Sequence, residues 1–318
     1  MRTGIRRKYI VALAALLCAI FLSLFLGLDL NHGALLIREL RIPRLILGLG
    51  VGAGLSLAGL VLQTVLTNPL AEPYTLGIAS GAAFGAAVGV SLHAASWIPG
   101  VNPGALLGAG LGVLLLSRTG GAARHAAGES VILVGVMLSL LFASLLSIWM
   151  SMADPLGVQS VNFWLLGDLS RAGTAQASLL LILVLLAGAG FFVFSRNLDA
   201  FLFGEDLVES FGVSRLRTRK ISILVASVLT ALCVSLAGMI GFVGLMVPHL
   251  VRRWLGVQRH FHLIPFSLIC GATLLVTGDS LARAVGNPHE LPVGAVTSLA
   301  GAPVFLFLFL GKRRGGLV

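Results

Sequence analysis

From Tyr9 to the C-terminal region the chain repeats apolar runs long enough to cross a lipid bilayer, separated by short charged or proline-bearing stretches. A helix needs about 20 apolar residues to traverse a hydrocarbon core of about 30 Å. A soluble core within 318 residues has no use for so many such runs. Hydrophobic residues make up 57% of the chain and charged ones 11%, where a soluble domain carries about 25% charge. Reading the runs against their interruptions predicts an all-α integral membrane fold, a polytopic bundle of about ten transmembrane helices. They are expected near 9–28, 45–66, 76–93, 103–117, 131–151, 177–195, 221–239, 240–252, 263–283 and 293–311, within a single transmembrane domain over 1–318. Pro248 interrupts the short eighth run.

The formal charge of +10 does not indicate nucleic acid, because the Lys and Arg residues cluster between apolar runs. With the N-terminus inside, the segments on the inner side hold all but five of the 22 Lys and Arg residues, the exceptions being Arg38, Arg41, Arg44, Arg171 and Arg283. That bias is what the positive-inside rule expects of ten spans with both termini cytoplasmic. The start, Arg2, Arg6, Arg7 and Lys8 before an apolar run to Leu28, has the outline of a signal peptide, but the run is long enough to span and is read as a first helix. Cys18, Cys233 and Cys270 all fall in apolar runs without metal or disulfide spacing and are expected to be packing residues.

Glycine is over-represented, with 40 residues against a typical share of about 7%. Gly77, Gly81, Gly85 and Gly89 recur every four residues, as do Gly104, Gly108 and Gly112. Each set lies along one helix face and lets backbones approach closely. Tight packing is the plain reading and a flexible gate the sharper one. Gly48, Gly50, Gly52 and Gly54 make the second run a central helix. An inverted five-plus-five repeat is suggested by Leu57-Ala58-Gly59 leading to Pro69 and Leu236-Ala237-Gly238 leading to Pro248.

No His-Glu-x-x-His, Gly-x-Ser-x-Gly or paired-cysteine zinc motif occurs, and no phosphate-binding Gly-x-x-x-x-Gly-Lys-Ser/Thr loop. Catalytic residues, metal ligands and cofactors are therefore not expected, and any ATP-driven step must use another chain. Four features remain. Asn68-Pro69-Leu70-Ala71-Glu72-Pro73 joins the second and third runs, and its prolines leave backbone groups free in a connection that is either a plain turn or part of a path. Gly204-Glu205-Asp206-Leu207-Val208-Glu209-Ser210-Phe211-Gly212, within an inner segment of about 196–220, carries the boundary signals of a short surface helix. Leu207, Val208 and Phe211 would form its apolar edge, packed on its own chain or presented to a partner. Arg38, Arg41, Arg44 and Arg283 either snorkel to headgroups or form a docking surface for an acidic partner. Asp279, inside the ninth run, needs a partner, and Arg283 four residues later is placed to supply it. His249 after Pro248, with no second ligand at metal spacing, is read as packed or hydrogen-bonded.

These stretches together resemble the FecCD-type permeases of ABC importers for iron-siderophores, haem and vitamin B12. The resemblance is carried by Arg41-Ile42-Pro43-Arg44, the Asn68–Pro73 stretch continuing to Leu76-Gly77-Ile78, Trp164-Leu165-Leu166-Gly167, Gly241-Phe242-Val243-Gly244-Leu245 with Val247-Pro248-His249, and Glu290-Leu291-Pro292-Val293-Gly294 ending in Gly301-Ala302-Pro303. It implies a ten-helix subunit of the bacterial inner membrane forming a homodimer around a central path, with two cytoplasmic ATP-binding subunits below and a soluble substrate-binding protein above. It also implies that the inner loop, Gly204, Glu205, Asp206, Leu207, Val208, Glu209, Phe211 and Gly212 here, couples to the ATPase. By the same likeness Arg41, Arg44 and Arg283 receive acidic residues of the binding protein, while Arg38 lies outside the motif. The path or gate is expected to involve Asn68, Pro69, Gly77 and Gly81. An ion-coupled secondary transporter and a membrane assembly subunit without transport are the competing classes, the first ordinarily showing more membrane-embedded carboxylates than Asp279 alone.

Overall fold

A computed structural model describes residues 2–26, 33–92, 102–122, 128–171, 173–286 and 290–314. Residues 27, 28 and 93 of two expected runs, and Arg124 of the inner cluster, lie outside them. The described residues form helices α1 (Arg2–Phe25), α2 (Gly33–Leu36), α3 (Ile42–Val65), α4 (Ile78–Ser91), α5 (Pro103–Ala122), α6 (Gly128–Met152) and α7 (Pro155–Leu165). The second half adds α8 (Thr174–Val193), α9 (Ser195–Ala200), α10 (Arg215–Ala237), α11 (Val243–Leu255), α12 (His260–Gly286) and α13 (Val293–Arg314). Every apolar run falls on a helix. Among the described residues, six helical stretches are long and apolar enough to cross a bilayer, and Ile78–Ser91, Pro103–Arg118 and Val293–Phe307 are shorter apolar helices.

α3 is the axis of the bundle, as its glycines predict. It is buried along nearly its whole length and packs against α8, α10, α11 and α12. The close approaches occur where glycine faces glycine, Gly52 against Gly271 of α12 and Gly59 against Gly244 of α11, where a side chain would meet backbone. The four-residue glycine ladders act likewise. Gly85 meets Gly104 and Gly81 meets Gly108, joining α4 to α5 back to back. α1 lies at the periphery, with most of its apolar surface exposed. At the end of the bundle that holds the N-terminus, termed inner with the opposite end termed outer, it is tied to α11 and α12 by Lys8 Nζ donating to the Trp254 carbonyl (2.7 Å) and by the Tyr9 hydroxyl donating to the His262 carbonyl (2.9 Å).

Beyond the short helices α2 and α9, two further elements were not anticipated. α7 starts with strong local signals, Asp154 accepting from the Gly157 amide (2.9 Å) as N-cap and Pro155 at the first helical position. Its 11 residues reach only about 16 Å, too few to register as an apolar span. The second is a π-helical turn, Ile37–Arg41, leading into α3. The two halves of the sequence repeat adopt different local structures. Leu57-Ala58-Gly59 lies inside α3 with Pro69 beyond its end, whereas Gly238 terminates α10 and Pro248 lies inside α11.

Candidate functional site: an outer charged basin, a re-entrant connection and an inner apolar knob

The connection after α3 does not stay at the end of the helix. Asn68 Oδ1 accepts from the Leu70 amide (2.8 Å), turning the chain, and Thr67 Oγ1 donates to Glu205 (3.3 Å). By Pro73 the chain has returned to Gly244 and the Leu55 carbonyl. Leu55 lies ten residues before Val65, so the segment climbs back alongside α3 by about 15 Å. Pro73–Leu76 form a 3-10 turn, and Gly77, at φ +80°, starts α4 from a left-handed conformation that only glycine adopts readily. Irregular backbone at such depth is tolerated where it is buried in protein or lines a cavity. Here the Tyr74 hydroxyl accepts from the Ile240 amide (2.8 Å), and Glu72 and Tyr74 face a cavity of about 350 Å³ with Leu165, Met239, Gly294 and Ser298. Among the residues expected to form a path or gate, Asn68 and Pro69 lie at the inner turn, Pro69 lining an inner pocket with His249 and Arg252. Gly77 and Gly81 lie in helix contacts instead, against Leu138 of α6 and Gly108 of α5.

At the opposite end, the expected docking arginines share one basin of about 510 Å³, lined by Arg41, Arg44, Ser170, Arg283 and Glu290 among others. They are not equivalent. Arg41 Nη1 donates to the Leu24 and Leu26 carbonyls (2.7 and 3.0 Å), closing the end of α1 against the π-turn. Arg44 is buried and holds Asp279 through Nε and Nη2 (2.8–3.0 Å) and Glu290 through Nη1 (2.6 Å). Arg283 stands 3.3 Å from Asp279 and donates Nη2 to the Ser23 carbonyl and hydroxyl (3.0 and 3.1 Å). The expected pair of Asp279 with Arg283 is present, but the tighter partner of Asp279 is Arg44, 235 residues away in sequence. Helical periodicity pairs residues only within one helix; the α3–α12 contact that joins these two is tertiary. Arg38 is exposed and pairs only loosely with Glu39 (3.6 Å).

The inner segment departs from the expected short α-helix. Phe201–Phe203, Glu205–Leu207 and Glu209–Phe211 are three separate 3-10 turns, interrupted by Gly204 at φ +98° and closed by Gly212 at φ +72°. Glu205 does not serve a helix dipole. It pairs with Arg219 and Arg215 (3.6 Å to the latter), while Arg219 Nε donates to the Val65 carbonyl (3.1 Å) at the end of α3. The apolar edge splits. Val208 is fully buried and anchors the turns, whereas Leu207 and Phe211 are exposed, with the Phe211 ring tilted by 33° against exposed Phe203 at 5.0 Å. Asp206 and Glu209 belong to the same turns. Just before them, Asp199 accepts from the His260 amide and meets its Nδ1 (2.8 and 2.7 Å), and His260 Nε2 meets Thr64 Oγ1 (2.8 Å), linking α9, α12 and α3. No sequence motif announced that chain. His249 packs edge-on against Phe305 at 6.2 Å. Among the described residues, no group of three or more His, Cys, Asp or Glu is placed to hold a metal ion.

A bundle with glycine-packed helices, irregular backbone beside a cavity and distinct charged and apolar faces at its two ends suits a membrane transport subunit. The chain belongs to the FecCD transport family, whose model matches residues 9–311. It is 34% identical to the Fe(3+) dicitrate transport system permease protein FecC of Escherichia coli strain K12, over 88% of this chain and 84% of that one. It is 35% identical to the vitamin B12 import system permease protein BtuC of Vibrio vulnificus, over 94% of this chain and 89% of the relative. A solved inward-facing structure of a metal-chelate type ABC transporter matches with a TM-score of 0.87 at 28% identity, covering 96% of this chain and 99% of the other.

Proposed function

We propose that this chain is the permease subunit of an ATP-driven importer that carries a metal chelate of the iron-siderophore, haem or cobalamin type across the bacterial inner membrane. The observation that carries the reading is the end-to-end likeness to permeases of such systems, in fold and in sequence. The chain crosses ten times in two halves of five, as one permease domain over 1–318, with both termini on the cytoplasmic side. Two copies surround the path, served by two cytoplasmic ATP-binding subunits that supply the hydrolysis this chain has no motif for.

ATP-driven closure of those subunits moves the inner turns from Gly204 to Gly212, with Leu207 and Phe211 seated in the partner. Their movement reaches the bundle through Glu205, Arg219 and the end of α3. The re-entrant connection, from Asn68 and Pro69 up to Glu72 and Tyr74, then reshapes the path, with Gly77 and Gly81 as the close contacts on which α4 shifts. Arg41, Arg44 and Arg283 receive acidic side chains of a soluble substrate-binding protein. The charge reversal that tests this docking is Arg41→Glu, because Arg283→Glu would set a carboxylate beside buried Asp279. Arg44→Glu would set a third carboxylate against Asp279 and Glu290 and disturb the fold itself.

The deciding experiment is chelate uptake into proteoliposomes holding the purified permease with its ATP-binding subunits, supplied with loaded binding protein. Uptake requires ATP and persists when ion gradients are collapsed. Uptake that needs a gradient and proceeds without ATP would instead make the chain an ion-coupled secondary transporter. Recovery of a second, non-identical permease chain in the complex would replace the homodimer, and FecC and FecD of Escherichia coli are separately named permeases.

A further inference from the structure

The two carboxylates on Arg44 are held very differently. The Asp279 side chain is 3% exposed and takes the Nε–Nη2 edge of the guanidinium, while that of Glu290 is 56% exposed, takes only Nη1 (2.6 Å) and lines the basin with Arg44. Freeing Asp279 would strand a charge inside the bundle. Freeing Glu290 returns a carboxylate that is already mostly hydrated to water. Glu290 also lies just before α13, in irregular chain held by a long hydrogen bond from the Leu291 amide to the Ala282 carbonyl (3.4 Å). The basin beside it, about 510 Å³, has room for an incoming carboxylate side chain.

We propose that Glu290 is an exchangeable internal counter-ion. It neutralises the outward corner of Arg44 while the subunit is undocked and is displaced by an acidic side chain of the soluble binding partner. The proposal rests on the docking reading above and adds to it a competitor supplied by the permease itself. A charged group paired at one corner throughout the cycle avoids being left without a counter-ion when the partner departs. Competition by Glu290 also shortens the docked lifetime, because each release leaves Arg44 satisfied. Arg41 and Arg283, which donate to carbonyl oxygens of Leu24, Leu26 and Ser23 at the end of α1, act as the fixed part of the surface.

The test uses the full permease with its ATP-binding subunits in lipid discs, titrated with the binding protein of the same transport system. Glu290→Gln is expected to tighten docking about fivefold, through slower release, the scale of one partly exposed ion pair. Glu39→Gln removes the same charge from the exposed rim of the π-turn without touching Arg44 and is expected to change affinity by less than about twofold. Equal tightening in both variants, or no tightening by Glu290→Gln while Arg41→Glu still abolishes docking, overturns the exchange. Unchanged docking in Arg41→Glu overturns the docking reading and the exchange with it.

Discussion

At the outer end of the bundle one arginine, Arg44, is gripped by two carboxylates; at the inner end one carboxylate, Glu205, grips two arginines. Both clusters fasten α3, the outer one to α12 and the inner one to α10 and the turns before it. What each leaves for a partner differs. The outer basin presents cationic side chains with one exposed counter-ion, a surface that recognises charge. The inner turns hold Glu205 against the bundle and present Leu207, Phe203 and Phe211, with Asp206 and Glu209 exposed beside them, a surface that recognises apolar shape within an acidic rim. The outer contact should therefore weaken more steeply with salt than the inner one, whose core is apolar.

The largest effect is expected where the comparison is most asymmetric. Asp279→Asn removes the shared partner of Arg44 and Arg283 inside the bundle, and loss of one member of a buried pair costs about 3–5 kcal/mol. Thermal unfolding in detergent should show it as a large drop in midpoint and a poor yield of folded protein. Unchanged expression and transport in this variant would mean that the outer cluster does not fasten α3 to α12. Glu205→Gln is the inner counterpart. Glu205 is partly solvated and Arg219 keeps its bond to the Val65 carbonyl, so the loss should be smaller, about 1–3 kcal/mol. Its more telling readout is ATP hydrolysed per chelate delivered, which should rise if the turns come loose from α3.

Next comes the apolar knob. Leu207→Ala with Phe211→Ala removes exposed side chains and should leave stability within about 0.5 kcal/mol. Association with the ATP-binding subunits should nevertheless weaken about tenfold or more, as when an aromatic anchor is truncated at an interface. Equal binding by this variant would reassign the knob to contact with lipid headgroups. Val208→Ala sharpens the point, because Val208 is buried and its loss should lower stability with little direct effect on the partner.

The long apolar runs were legible because lipid demands a continuous stretch of about 20 apolar residues, a signal that survives without tertiary knowledge. The central place of α3 followed from Gly48 to Gly54, since a glycine-lined face is stable only against neighbouring backbone. What failed were the pieces governed by tertiary contacts. Arg44 looks like a free outward arginine in sequence, and only the α3–α12 crossing brings Asp279 to it. The Asn68–Pro73 stretch reads as a turn of either kind, and its return alongside α3 depends on Gly244 leaving space for Pro73. The inner segment carried helix-boundary residues, but Glu205 was drawn to Arg215 and Arg219, and two glycines with positive φ confined the chain to single turns. α7 was missed although Asp154-Pro155 announces it, because a search for spans discards any helix of 11 residues.

The smallest expected effect separates surface charge from buried charge on the outer side itself. Asp168, in the outer connection between α7 and α8, is partly buried, which by itself raises its pKa, but bonds from the Ser170 amide and hydroxyl and from Arg171 outweigh burial and hold it below the usual carboxylate range. A depressed folded-state pKa means stability that is present at neutral pH, above the unfolded value of about 3.9, and lost as pH falls through the folded value. Asp168→Asn should therefore lower the unfolding midpoint slightly at pH 7, by the equivalent of at most about 1 kcal/mol for a largely solvated pair, and the gap from the unaltered protein should close in acid. High salt should shrink the same gap at pH 7, whereas the much larger deficit of Asp279→Asn should persist, because solvent ions do not reach a pair buried between α3 and α12. If both deficits faded alike with salt, the contrast between a buried outer anchor and its hydrated surroundings would fail, and Arg44 would be as open to solvent as Arg38.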